Sequence, residues 1–133
     1  MKKVLFTVAL MFGAMVASAQ VSVVKEAKSM KKDPAAAAKV LEAALTNPET
    51  ANDPNTWQLA GDLQKAIYDE ENMKLYLPGG QADMPRMYNS LVKMFEYYLK
   101  CDEMEVAGVA NGTIKKAKLR KKNAENLMKV RMN

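Results

Sequence analysis

From Ser22 onward the apolar positions recur every three or four residues, the spacing of helices rather than of strands. A first short helix is predicted over about Ser22 to Lys32. Asp33-Pro34 then starts a second, about Pro34 to Thr46, with Ala37, Leu41, Ala44 and Leu45 on one face. Asp accepts the free N–H groups of a first turn, and Pro is tolerated at the first helical position. Asn47-Pro48-Glu49 breaks this helix, and Asp53-Pro54 starts a third, about Pro54 to Lys74. That helix is apolar on two sides, Ala60, Leu63 and Ile67 on one and Trp57, Gly61 and Tyr68 on another, so neighbours should pack against both. Pro78-Gly79-Gly80 is a turn. A fourth helix follows from Asp83 or Met84 to about Lys100, with Met84, Tyr88, Leu91, Phe95 and Tyr98 as its apolar stripe. Residues 102–114 read as an irregular linker whose Asn111-Gly112 makes a turn between helices. A basic fifth helix starts near Lys115, with Ala117, Ala124, Leu127 and Met128 on one side.

Ahead of these lies a segment of another kind. Lys2 and Lys3 precede an apolar run from Val4 to Val16, and Ala17-Ser18-Ala19 supplies small residues before Gln20. That is the make-up of a cleavable secretory signal. The run of thirteen residues is shorter than the roughly 20 that a membrane-spanning helix needs. Residues 1–19 are therefore expected to be removed after Ala19, and the mature chain to be periplasmic or secreted, without a transmembrane segment. The junction resembles those of exported proteins of the Bacteroidetes. Cys101 stands alone and cannot form an internal disulfide, so it is expected either to be buried as a small hydrophobe, the favoured reading, or to be free to bridge to another molecule.

Charge divides the chain. Residues 20–114 carry ten Lys and Arg against fourteen Asp and Glu, whereas 115–133 carry eight basic residues and the single acid Glu125. The basic balance thus belongs to the last helix. No histidine is present, which removes the commonest general base and metal ligand, and one cysteine gives no basis for a zinc site. No phosphate-binding loop motif occurs. The acidic runs Asp69-Glu70-Glu71 and Asp102-Glu103 with Glu105 lack calcium-loop spacing and read as solvated helix surface. The expectation is a protein without catalytic residues, metal or cofactor.

Two stretches suggest an internal repeat. Lys39-Val40-Leu41-Glu42-Ala43-Ala44-Leu45 matches Lys93-Met94-Phe95-Glu96-Tyr97-Tyr98-Leu99 at Lys, Glu and the last Leu, with Leu41 aligned to Phe95. Trp57, Ala60 and Gly61 have the type and spacing of the start of a tetratricopeptide repeat, and Ala37, Leu41 and Ala44 resemble the small-large-small pattern of its second helix. Gln64 departs from the Tyr usual in that family. A stretch of about 18 extra residues, centred on Leu75 to Pro85, is more than one standard repeat permits. The resemblance implies an all-α fold of antiparallel helix pairs stacked as a short α-solenoid, with residues 20–101 forming two pairs. Trp57, Ala60, Gly61, Leu41 and Phe95 would be its packing residues.

Such solenoids bind partners on the face lined by the first helix of each pair. The resemblance therefore implies a non-enzymatic interaction module that meets an unidentified protein partner through Asn55, Gln58, Asp62 and Lys65. An alternative function is binding of an anionic lipid or glycan surface through the basic helix 115–131, with Lys115, Lys116, Lys118, Arg120, Lys121 and Lys122 as contacts. Nucleic acid is not an expected partner for an exported chain. The last helix runs to Asn133 with Leu127, Met128 and Val130 still in pattern. That suggests the N-terminal part of a longer helical-repeat protein.

Overall fold

The computed structural model describes residues 21–132. They form six helices with no strand among the described residues: α1 over residues 21–29, α2 Pro34–Thr46, α3 Pro48–Ala51, α4 Pro54–Lys74, α5 Met84–Asn111 and α6 Lys118–Met132. Residues 1–19, expected to be a cleavable signal, lie outside the described residues. No helix among those described is long and apolar enough to cross a membrane.

Each break in the sequence is also a cap. Asp33, Asn47, Asp53 and Asp83 accept side-chain hydrogen bonds from the first-turn N–H groups of Ala36, Glu49, Asn55 and Arg86, each with a proline at the helix start. These residues satisfy donors that the helix itself leaves free. At the other end of α5, Gly112 takes φ +83°, and the Ile114 N–H reaches back to the Gly108 carbonyl at 3.0 Å. A left-handed residue closes a helix in this way, and Gly adopts that conformation without steric cost. Asn111-Gly112 is thus a helix stop.

The helix α4 is central. Its most extensive interface is with α5, and it also packs against α2 and α6. The pair α4 and α5 is antiparallel: Glu71, near the end of α4, meets Asp83 and Arg86, whereas Asp62 meets Tyr98 farther along α5. Likewise Glu105, Asp102 and Tyr98 of α5 meet residues 119, 123 and 126 of α6 in reversed order. The core joins Ala27 of α1, Ala37, Leu41 and Ala44 of α2, and Leu59, Ala60 and Leu63 of α4. With Ala at so many contact positions, the helices approach closely and depend on small, complementary surfaces.

Three expectations need correction. The helix read as ending near Lys100 continues to Asn111, so most of the supposed linker 102–114 is helical. No proline or capping residue stops it, and Gly108 is accommodated because the Ile114 side chain fills the space a Cβ would take. Phe95 is 52% exposed and packs no repeat; Tyr98 of the expected stripe is buried, but beside it Met94 is buried in place of Phe95. Apolar residues on α5 form two stripes, and the covered one (Met87, Ser90, Met94, Tyr98, Cys101, Glu105, Gly108) is interrupted by polar residues. The fully apolar stripe containing Tyr88, Val92, Phe95 and Leu99 is the exposed one. Finally, the last helix begins at Lys118, leaving Lys115 and Lys116 in the preceding loop.

Leu41, Ala60 and Gly61 are buried, and Trp57 is half-buried. Its indole N–H donates to the Ala51 carbonyl at 2.7 Å, and its ring tilts against Tyr97 with centroids 5.7 Å apart. The Trp side chain therefore fastens the short α3 to the α4–α5 pair.

Candidate interaction face

The helices α1, α4 and α6 line a groove of about 280 Å³. Asn55, Gln58 and Asp62 are on its wall because they recur at three- and four-residue spacing along one side of α4. Lys28 and Lys31 come from α1 and the turn after it, and Lys122 comes from α6. Three cationic side chains from separate segments thus surround two neutral amides. Lys65, the fourth residue assigned to this face, does not line the groove; its ammonium pairs with Asp69 at 2.6 Å on the same helix.

The other three assigned residues also have partners within the chain, Asn55 donating its amide to the neighbouring Asp53 at 3.0 Å. The Gln58 amide donates to Asn123 Oδ1 at 3.1 Å, and Asn123 Nδ2 donates to Asp102 at 3.0 Å. The Asp62 carboxylate accepts the Tyr98 hydroxyl at 2.5 Å and the Asn126 amide at 3.3 Å. The helix α6 therefore covers part of the face that the resemblance had assigned to a partner. Of the six basic residues considered for an anionic surface, all are exposed, but only Lys122 joins the groove.

The side chains that position α6 were misread or overlooked in the sequence. Glu105 is 2% exposed, and its two oxygens accept the backbone N–H groups of Leu119 at 3.0 Å and Arg120 at 2.6 Å. It caps α6 from another helix, where a local Ser or Asp would ordinarily serve. Asn123 is wholly buried, and its amide satisfies both Gln58 and Asp102. Glu71 is 1% exposed and ties the turn before α5 by accepting from Lys74, Arg86 and the Asp83 N–H. Each acidic run is therefore solvated only in part: Glu70 and Glu103 are exposed as expected, whereas Glu71 and Glu105 are buried. The Lys74 hydrogen bond and the Asp83 N–H hold the Glu71 carboxyl below its ordinary value, against the cost of burial.

Cys101 is buried, and burial pushes its thiol up to about 11, so it is held as a neutral packing group. With Asp102 and Glu105 it places potential metal-ligand atoms within 4.8 Å of one another. Those carboxylates are already engaged, by Asn123 and by the two α6 N–H groups, so the donor set does not fit a cation. Burial likewise raises the Asp102 carboxyl, opposed by the Asn123 hydrogen bond. The Tyr98 hydroxyl is strongly raised by burial and by its bond to Asp62.

No family model matches the chain, and no curated protein or solved structure matches it.

Proposed function

We propose that the chain is a non-enzymatic protein-interaction module of the tetratricopeptide type, exported by the leader 1–19, and that its docking face is the α1/α4/α6 groove. The observation that carries this reading is the convergence of Lys28, Lys31 and Lys122 on Asn55 and Gln58. Cations at a groove rim favour an acidic segment, and the Asn55 and Gln58 amides, which already donate to Asp53 and Asn123, keep further hydrogen-bonding positions that can pair with its backbone. Asp53 and Asp62 also line the groove, but Asp53 caps α4 and Asp62 is occupied by Tyr98 and Asn126.

The test is fluorescence anisotropy with a labelled Glu-rich peptide and its Lys-rich counterpart. Binding of the acidic peptide alone is expected, weakened by roughly tenfold or more when Lys28, Lys31 and Lys122 are all replaced by Gln. Equal binding of both peptides, or no change in the triple variant, would overturn the docking face. Mass mapping of exported material should begin at Gln20, and retention of Met1 there would refute export with cleavage.

A second reading rests on the exposure of Lys115, Lys116, Lys118, Arg120, Lys121 and Lys122, which leaves a cationic surface open to anionic lipid or glycan. Salt-sensitive retention on phosphatidylserine vesicles, lost when all six become Gln, would favour it. No retention at low salt would exclude it.

A further inference from the structure

The opposite side of α4 carries a larger groove, about 550 Å³, between α2 and α5. Its volume is in the range of ligand and peptide sites, roughly 300–1,000 Å³. Two buried polar side chains line it: Gln64, 7% exposed, and Ser90, 3% exposed. Neither has a hydrogen-bond partner among the described residues, whereas buried polar groups are nearly always paired. An unpartnered amide and hydroxyl beside an open trough offer binding capacity that the fold does not use.

The lining indicates what fits. Ala35 and Ala38 present only methyl groups on the α2 wall, so a polypeptide backbone can lie close to it. A primary amide has two donor hydrogens and an acceptor oxygen, so it can pair at two points with the N–H and C=O of an extended chain. Lys39 stands on one wall and Lys93 on the other, both exposed, with Arg86 at one end, partly engaged by Glu71. Glu42 and Asp83 also line the groove, Asp83 Oδ1 as the cap of α5, so the three cations Lys39, Arg86 and Lys93 outnumber two carboxylates and the lining keeps a positive balance. Cations on both walls favour carboxylates on the incoming segment.

We propose that the α2/α5 groove is a second binding site, which takes an extended peptide segment bearing acidic side chains, with Gln64 and Ser90 pairing its backbone. This site goes beyond the docking face on α1, α4 and α6, and the two can fail separately.

The experiment is a two-dimensional amide NMR titration of the full chain with acetyl-Ala-Glu-Ala-Glu-Ala-amide, alongside its Lys analogue. Shifts of the Gln64 side-chain amide and of the backbone at Ser90 are expected with the acidic peptide only. Binding should weaken at least tenfold in Gln64→Leu and in the surface pair Lys39→Gln with Lys93→Gln. Gln64→Leu removes an unpartnered buried amide, so its melting temperature should not fall; if it does, Ser90→Ala and the lysine pair still decide. Shifts confined to Asn55, Gln58 and Lys122 would overturn this site and leave the front face standing. No shift at Gln64, or undiminished affinity in the lysine pair, would overturn it outright.

Discussion

Gly61 shows how a missing side chain sets a helix spacing. A Cβ there would clash with the edge of the Tyr98 ring, which is itself anchored by hydrogen bonds to Asp62 and Asn126. Because the ring is held at its hydroxyl, it cannot swing aside without giving up both bonds. Gly61→Leu is therefore expected to destabilise by about 1–3 kcal/mol, through overpacking, as measured by denaturant unfolding. An unchanged midpoint would mean that the ring relocates freely. Cys101 gives a second test at this scale. A thiol moved from an ordinary 9.0 to about 11 has about a hundredfold less thiolate at neutral pH. Native protein should react with a thiol reagent at least that much more slowly than unfolded protein, and equal rates would contradict its burial.

At the scale of elements, the starts of α2, α4 and α5 were legible because an Asp and a nearby Pro act locally, whatever the tertiary contacts. The end of α5 was not, since Cys101 to Asn111 contains good helix formers whose burial depends on α6, far along the chain. Apolar periodicity also placed the covered stripe of α5 only in part, catching Tyr98 but choosing Tyr88 and Phe95 over Met87 and Met94. It weighs Phe95 above Ser90 and Glu105, yet only contacts decide which side is covered. Phe95→Ser should accordingly leave the melting temperature within about 1 °C, as exposed substitutions usually cost under about 0.5 kcal/mol, while lowering binding of a hydrophobic dye. A large loss of stability would restore Phe95 to the core. Of the interaction face, Asn55, Gln58 and Asp62 could be placed from spacing on α4. Lys28 and Lys31 could not, being remote in sequence and carrying no motif. The Glu71 tie was hidden for the same reason: three donors from two separate segments make it a buried acceptor. Its carboxyl is held below its ordinary 4.5, so its contribution is complete above that value and is lost as pH falls through the lower folded one. Melting temperature should drop with acidification in the wild type, and the drop should be shallower in Glu71→Gln. Identical pH profiles would remove Glu71 from the acid response.

For the whole molecule, the decisive join is between α6 and the α4–α5 pair, and it is polar. Glu105, Asn123 and Asn126 reach Leu119, Arg120, Gln58, Asp102, Asp62 and Tyr98, so α6 is placed by directional bonds more than by apolar burial. Such a join is specific in register but loses much when one member goes, because the remaining buried groups are left unpaired. Asn123→Ala would leave the Gln58 amide and the Asp102 oxygen without their partner, at a cost of about 1–3 kcal/mol. Hydrogen exchange should then quicken through residues 118–130 while Leu59 to Ile67 and Met87 to Tyr98 keep their protection. Because Lys122 precedes Asn123 on the loosened helix, affinity of the front groove for an acidic peptide should fall as well. The back groove between α2 and α5 contains no α6 residue and should be unaffected. If exchange instead quickened equally everywhere, α6 would be an inseparable part of one cooperative unit, and the polar join would be no weaker than the core.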